Sequence, residues 1–160
     1  MAIHRKQLIR RLPYSPEQLF ELVGDVTRYP EFVPWVSAMR TWNSVRPATG
    51  VTQVDAEAQV GFAMIREKFA TRVRRDLNTR QIDVNLLYGP FRKLHNRWRF
   101  EPDGEGTTIH FLIEFEFKSR ILDGLLAANA SRAAEKIMTC FEARAAAIYD
   151  QPSGVQGALG

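Results

Sequence analysis

The 160-residue sequence predicts an α+β fold in which a curved antiparallel sheet wraps around one long C-terminal helix. Two changes of hydrophobic period carry this prediction. Between residues 37 and 117 apolar and polar side chains alternate, which is typical of strands with one buried face. After Ser119 the apolar residues recur at helical spacing instead. The alternating region is long enough for about six to seven strands, counting a first strand near the N-terminus.

The first strand is predicted over residues 3–12, and a short helix follows it. Residues 15–17 supply a serine N-cap, a proline at the first helical position and an acidic first turn. Apolar residues then follow at helical spacing as far as Gly24. A second short helical turn is expected over residues 26–31, after which two prolines interrupt regular structure.

Alternation and turn signals place the later strands. The clearest alternating runs are residues 65–73, 82–86, 94–100 and 107–117. The glycine-rich residues 103–106 join the last two strands as a hairpin. Because consecutive strands are linked by short turns, we expect an antiparallel meander.

The C-terminal helix is predicted from an apolar stripe that runs from Leu122 to Ile148. Its charged residues are too numerous for a membrane span, and at ~1.5 Å per residue it would be roughly 40 Å long. Such a helix can cover the apolar face of the whole sheet. We expect residues 1–149 to form one domain and residues 150–160, which are rich in glycine and small side chains, to be a disordered tail.

The predicted interior leaves room for a cavity. The inner face of the sheet carries large apolar residues, whereas the helix stripe is rich in alanine. With strong sheet curvature this combination leaves a void, and an apolar void of about 300–1,000 Å³ is the usual form of a small-molecule site. Glu67 and Asn96 are the polar exceptions on that face. They either form structural hydrogen bonds or lie at the mouth of the barrel, or they contact the polar end of a ligand.

Candidate catalytic and metal sites are not found in the sequence. Cys140 is the single cysteine, so no intrachain disulfide is possible. The three histidines fall on different predicted strands, and no phosphate-binding loop, dinucleotide fingerprint or nucleophile elbow occurs. The N-terminal residues lack the apolar run of a signal peptide, and no stretch is long and apolar enough for a spanning helix. We therefore expect a cytoplasmic protein.

The formal net charge of +4 leaves two interpretations of the surface open. The outward positions of the sheet are rich in arginine and lysine, but acidic residues occupy outward positions on neighbouring strands. Cross-strand pairing would neutralise much of that charge. The outer face is therefore either a solvated, ion-paired surface or a binding surface for RNA or anionic lipid.

Residues 19–35, which read LFELVGDVTRYPEFVPW, make a family resemblance specific. The sequence resembles the coenzyme Q-binding START-like family within the polyketide cyclase/dehydrase and lipid-transport superfamily. Further matches are the Gly61-Phe62 pair, the Gly89-Pro90-Phe91 turn and the strand that ends at Phe117. The resemblance covers about residues 3–149. Val36 departs from it, because many relatives carry a cysteine after the tryptophan.

The resemblance implies a helix-grip fold with a tunnel for a polyprenyl quinone. The first expectation is a non-enzymatic carrier or chaperone that binds ubiquinone in support of respiratory electron transport, with no required cofactor. A ribosome-association toxin that binds the large ribosomal subunit and blocks subunit joining is the alternative. A cyclase-like enzyme is the third reading, and it rests on fold alone. The sequence does not indicate an oligomeric state.

Thirteen residues are expected to contact the ligand. They are Tyr29, Phe32, Val33, Pro34, Trp35, Phe62, Glu67, Phe69, Phe91, Leu94, Asn96, Trp98 and Phe115. The proline-fixed segment from Tyr29 to Trp35 is either a packed plug at the open end of the sheet or a tunnel lip that rests on a membrane. In the second case the protein would also meet the inner face of the cytoplasmic membrane.

Overall fold

A computed structural model describes residues 3–62, 65–126 and 130–150. The elements in chain order are β1 (His4–Leu12), α1 (Pro16–Gly24), a 3-10 helix (Val26–Glu31), β2 (Val36–Ala48), β3 (Val51–Phe62), β4 (Ile65–Asp76), β5 (Gln81–Tyr88), β6 (Phe91–Asp103), β7 (Gly106–Phe117), α2 (Arg120–Leu126) and α3 (Ala130–Tyr149). The α+β class and the predicted order of elements are confirmed.

The seven strands form one antiparallel sheet in the order β1-β7-β6-β5-β4-β3-β2. Every pair that is consecutive from β2 to β7 is a hairpin, whereas β1 closes the far edge by pairing with β7, with His4 opposite Phe115. Register shifts interrupt the β2–β3 pairing between Trp42 and Val45. Such irregularities increase local twist and bend a strand, so they help the sheet to curve.

The segment before β2 is fixed by local hydrogen bonds. Ser15 Oγ accepts from the backbone N–H of Gln18 at 3.1 Å, and Gln18 Oε1 accepts from the N–H of Ser15 at 3.0 Å, which is a capping box. The hydroxyl of Tyr29 donates to the backbone carbonyl of Val23 and ties the 3-10 helix to α1. Burial raises the pKa of Tyr29, so this hydroxyl stays protonated.

Helix α3 packs on the sheet through residues at helical spacing. Ala134, Met138 and Ala145 are fully buried. Phe141 packs edge-on against Trp98, with ring centroids 5.1 Å apart. Phe141 and Ala145 of the predicted stripe lie on this contact face, whereas Ile148 at its end is exposed. The sequence predicted one uninterrupted helix after Ser119; residues 127–129, between α2 and α3, lie outside the described residues.

The outer face of the sheet is ion-paired. Arg72 Nε donates to Asp55 Oδ1 at 2.8 Å, and Arg97 Nε donates to Asp83 Oδ1 at the same distance. Lys93 also lies 3.4 Å from a carboxylate oxygen of Glu114. These pairs join neighbouring strands, as cross-strand charge pairing predicts. They favour the solvated, ion-paired interpretation of the outer face.

The predicted tail and the predicted absence of a spanning helix can be compared only with the residues that the structure describes. Residues 151–160, which make up nearly all of the predicted tail, lie outside them. None of the helices in the described ranges combines the length and the apolar character that a bilayer crossing requires.

Candidate ligand-binding site

Two adjacent chambers lie between the sheet and the C-terminal helices. The inner chamber has a volume of about 190 Å³ and the outer chamber about 290 Å³. Both are lined by the same five residues where they meet, namely Trp35, Val36, Phe69, Leu94 and Ile113. The predicted cavity between sheet and helix is therefore present, but its helix lining in the described residues is Leu122, Ala133, Ile137 and Phe141 rather than a row of alanines.

Strand parity positions the walls of the inner chamber. Inward residues of β3 to β7 line it together with Ile137 and Phe141 of α3. Ala56 and Ala58 of β3 contribute only methyl groups to this wall, which leaves space opposite the bulky β6 and β7 residues. Trp98 and Phe111 contact each other at 4.2 Å between ring centroids and form a rigid aromatic base.

Asn96 is a polar residue in this apolar chamber. Its cross-strand neighbours are Val84 on β5 and Ile113 on β7, and neither side chain can hydrogen-bond. Its Oδ1 is buried and receives no hydrogen bond from any residue in the described ranges. Leaving a buried amide oxygen without a donor costs about 1–3 kcal/mol. A ligand that donates a hydrogen bond to this oxygen would offset that cost.

Two other polar side chains line the inner chamber. The Thr71 hydroxyl is a donor and an acceptor. The Tyr29 hydroxyl already donates to the Val23 carbonyl, so it offers a ligand only acceptor capacity. Asn96, Thr71 and the indole N–H groups of Trp35 and Trp98 are therefore the side-chain groups of this chamber that can donate to a ligand.

The outer chamber is lined mainly by aromatic rings. Phe91 stacks on Phe117 at 5.2 Å and meets Phe69 edge-on at 5.4 Å. Gly89 makes this packing possible: its φ is +148°, and a side chain there would collide with Phe69. Glu67 is the acidic residue of this chamber. The two polar residues predicted from parity thus lie in different chambers.

The segment from Tyr29 to Trp35 is divided between the cavity and the surface. Tyr29, Val33 and Trp35 line the inner chamber. Phe32 does not: it packs on Phe141 at 5.2 Å and lines a separate surface groove beside Arg144. Pro34 is exposed and lines neither chamber.

The placement of Phe32 and Pro34 corrects the expectation that both line the cavity. Its physical reason is that the chain leaves the 3-10 helix at Phe32, where φ is −141°, and turns this ring toward α3. The side chain of Phe62 lies outside the described residues. The other ten predicted residues line one chamber or both: Tyr29, Val33, Trp35, Glu67, Phe69, Phe91, Leu94, Asn96, Trp98 and Phe115.

Sequence reasoning missed part of the wall. The missed residues include Met39, Ala56, Ala58, Ile137 and Phe141. For β3 the available signal was that small or apolar residues alternate with polar residues from Val54 to Val60. This signal is weak because alanine is not typical of strands.

The described residues hold no cluster of histidine, cysteine, aspartate and glutamate that could bind a metal ion. Cys140 is half-buried on α3, and burial raises the pKa of its thiol. A raised pKa keeps the thiol protonated and less nucleophilic.

An antiparallel sheet that grips a C-terminal helix around an apolar cavity defines the START-like class of lipid-binding folds. The chain belongs to the polyketide cyclase/dehydrase and lipid transport family, whose model matches residues 12–142. The family resemblance seen in residues 19–35 is confirmed.

Two relatives carry different names. "Ribosome association toxin RatA" of Rickettsia prowazekii is 35% identical over 137 residues, which is 84% of this chain and 90% of the relative. "Coenzyme Q-binding protein COQ10 homolog B, mitochondrial" of Xenopus laevis is 30% identical over 143 residues, which is 86% of this chain and 56% of the relative.

Solved structures agree with the fold. The solution structure of an 18 kDa protein from Caulobacter crescentus is 60% identical, with a TM-score of 0.76 over 92% of this chain and 99% of that chain. The Zhui aromatase/cyclase of a Streptomyces species has a TM-score of 0.71 over 94% of this chain and 99% of its own. Its identity is only 17%, so this likeness shows the fold alone.

Proposed function

We propose that the protein binds ubiquinone in the two chambers and acts as its carrier or chaperone, without catalysing a reaction on it and without a further cofactor. The observation that carries this proposal is the carboxamide of Asn96, whose buried oxygen has no described partner inside an otherwise apolar cavity. A ligand with a hydroxyl group at the head of a long apolar tail, as in the reduced quinol, offers the hydrogen-bond donor that this oxygen lacks.

In this proposal the quinone ring lies in the inner chamber. The Asn96 amide N–H donates to a quinone carbonyl, and the Thr71 hydroxyl is a second donor. Because its Oδ1 accepts hydrogen bonds, Asn96 also binds a hydroxyl group of the reduced quinol, and this redox form supplies the donor that the buried oxygen lacks. Both redox forms of the ligand are therefore expected to bind.

The isoprenoid tail lies in the outer chamber. From the ring it passes Trp35, Leu94 and Ile113, which line both chambers, and contacts the phenylalanine rings of the outer chamber. Burial of this tail supplies most of the binding free energy, at about 25 cal/mol per Å² of apolar surface. The name of the Xenopus relative supports a quinone as the occupant.

The first test is native mass spectrometry of protein purified from its own host, which is expected to show bound quinone. The second is titration of lipid-free protein with a short-tailed ubiquinone, followed by quenching of tryptophan fluorescence, because Trp35 and Trp98 line the chambers. A wild-type protein that carries no quinone and takes up none contradicts the proposal.

The variant Asn96→Leu tests the polar contact. We expect it to bind ubiquinone about tenfold more weakly while its affinity for a hydrocarbon such as squalene is retained. Asn85→Leu is the matched control, because Asn85 is an exposed residue on the outer face of neighbouring β5. Equal ubiquinone affinity for Asn96→Leu and wild type would assign the ring to another part of the cavity.

A second candidate function is binding to the large ribosomal subunit with inhibition of subunit joining. The observation that favours it is the name of the Rickettsia relative, which this chain matches over most of its length. The test is a subunit profile in sucrose gradients at low and high salt, since phosphate contacts weaken as salt rises. Unchanged profiles at low salt contradict it.

A third candidate is cyclase-like catalysis, for which Glu67 is the acidic residue that lines the chambers in the described structure. Glu67→Gln removes this acid or base at almost constant volume. We expect unchanged ubiquinone affinity for this variant. A reaction product that forms with wild type and not with Glu67→Gln would support the enzyme instead.

A further inference from the structure

Helix α2 presents two large apolar side chains to solvent. Ile121 is 75% exposed and Leu125 is 58% exposed. They are four residues apart and therefore share one face of the helix. Leu122 points the other way and lines the outer chamber. One short helix thus separates the apolar cavity from an apolar patch on the surface.

The charges around this patch are basic. Lys118 and Arg120 are exposed directly before Ile121. Asp123 is the only acidic residue between positions 118 and 134, and its carboxylate accepts a hydrogen bond from His4 Nε2 at 2.8 Å. The carboxylate that could repel an anionic surface is therefore held by β1.

The patch adjoins the wall of the outer chamber. Pro90 and Phe91 line that chamber beside Leu122, and the backbone N–H of Lys118 donates to the Pro90 carbonyl at 2.9 Å. On β4, Arg66 is exposed and lies over Gly61, another residue of the chamber wall. Basic side chains therefore lie near more than one part of the wall of the outer chamber.

We propose that the outward face of α2 docks on the surface of an anionic phospholipid bilayer and seats the mouth of the outer chamber against it. Apolar side chains enter the boundary between headgroups and acyl chains, while lysine and arginine meet the phosphates. The use of this contact for ubiquinone delivery rests on the proposed function. The docking surface itself does not.

In this proposal the face of α2, rather than the segment from Tyr29 to Trp35, meets the membrane. From Tyr29 to Trp35, Pro34 is the exposed apolar residue, whereas Tyr29, Val33 and Trp35 turn into the inner chamber. A single proline provides much less apolar surface for insertion than Ile121 and Leu125 together.

The test is co-sedimentation with vesicles of phosphatidylglycerol and phosphatidylcholine, compared with vesicles of phosphatidylcholine alone. We expect wild type to bind the anionic vesicles and to release them as salt rises. The double variant Ile121→Asp/Leu125→Asp is expected to lose at least tenfold in affinity. Lys118→Gln and Arg120→Gln are each expected to lose about fivefold.

Ile9→Asp is the matched control, because Ile9 is an apolar residue of β1 that is 67% exposed on the outer face. It should bind vesicles like wild type. The proposal is overturned if wild type does not bind anionic vesicles, if the α2 double variant binds as well as wild type, or if Ile9→Asp loses as much. A loss confined to Pro34→Asp would move the docking surface to the segment before β2.

Circular dichroism and binding of short-tailed ubiquinone in the absence of vesicles show that the variants fold. They also separate the two proposals. A wild type that binds vesicles but no quinone contradicts the proposed function and leaves the docking surface in place. A wild type that binds quinone but no vesicles contradicts the docking surface and leaves the proposed function in place.

Discussion

The imidazole Nε2 of His4 lies 2.8 Å from Oδ1 of Asp123, and this bond joins strand β1 to helix α2. The same ring packs against Phe115 of the outer chamber, with ring centroids 5.1 Å apart. His4 therefore anchors α2 beside the outer chamber. The strength of this contact should affect how fast a ligand enters and leaves.

Asp123→Ala removes the contact without changing the cavity wall. We expect ubiquinone to dissociate severalfold faster, with a small effect on the free energy of unfolding, since α2 is released while the sheet and α3 stay intact. Stopped-flow recovery of tryptophan fluorescence measures the rate. Arg5→Ala is the control. Arg5 is on β1 like His4, and the substitution breaks its more exposed ion pair with Glu114 of β7. Identical dissociation rates for all three proteins would show that α2 does not control access.

Filling the inner chamber should separate binding from stability. Ala58→Leu adds apolar atoms to a side chain that lines the void. We expect at least tenfold weaker ubiquinone binding with an unchanged or raised melting temperature, because the added atoms gain contacts in unfilled space. Ala38→Leu, at an exposed position of β2, is the control for added bulk. A melting temperature that falls by many degrees would mean that the chamber has no room to spare.

The buried carboxylate on the outer face gives a prediction about pH. Asp55 is 3% exposed, and its hydrogen bonds from Arg72, with a further one from Asn43, lower its pKa despite the opposing effect of burial. A carboxyl whose pKa is lower in the folded state contributes stability above its unfolded pKa of about 3.9 and loses it as pH falls through the folded value.

Asp55→Asn should therefore reduce stability by about 1–3 kcal/mol at neutral pH and by less in acid. Urea unfolding at pH 7 and near pH 3 measures both values. Asp103→Asn, which weakens an exposed pair with Arg11, is expected to have little effect at either pH. If Asp55→Asn were equally destabilising at both values, its effect would come from shape rather than charge.

The hydroxyl of Tyr29 provides a fourth prediction. Tyr29→Phe leaves the Val23 carbonyl without its donor, so we expect a loss of about 1–3 kcal/mol in the free energy of unfolding, with an unchanged dependence on urea. Tyr88→Phe, at an exposed tyrosine, is the control and should have a smaller effect. Comparable losses in the two variants would mean that the hydrogen bond between Tyr29 and Val23 stabilises the fold no more than the hydroxyl of an exposed tyrosine does.

Regular elements explain why much of the fold and site was predictable. Asn96, Trp98 and Glu67 sit on strands, where an alternating period of two determines the face that each side chain takes. Ser15 and Pro16 likewise mark the start of α1, because an N-cap serine and a proline at the first helical position are local signals.

Irregular and weakly patterned segments explain the rest. Phe32 follows a 3-10 turn, where no period determines its direction, and contact with Phe141 on a distant helix decides it. Ala56 and Ala58 belong to the wall, but alanine at alternating positions gives little hydrophobic contrast. The burial of Asp55 on the outer face depends on Arg72 and Asn43 from two neighbouring strands, which parity alone does not reveal.

The pairing of β1 with β7 has a consequence for synthesis of the protein. His4 is made more than 100 residues before its partner Phe115. At about 5–20 residues per second, β1 waits roughly 5–20 s for its partner strand. During that time the newly made strands expose an unpaired edge and an apolar face that α3 has yet to cover. Slowing translation just before β7 should therefore increase aggregation of the nascent chain.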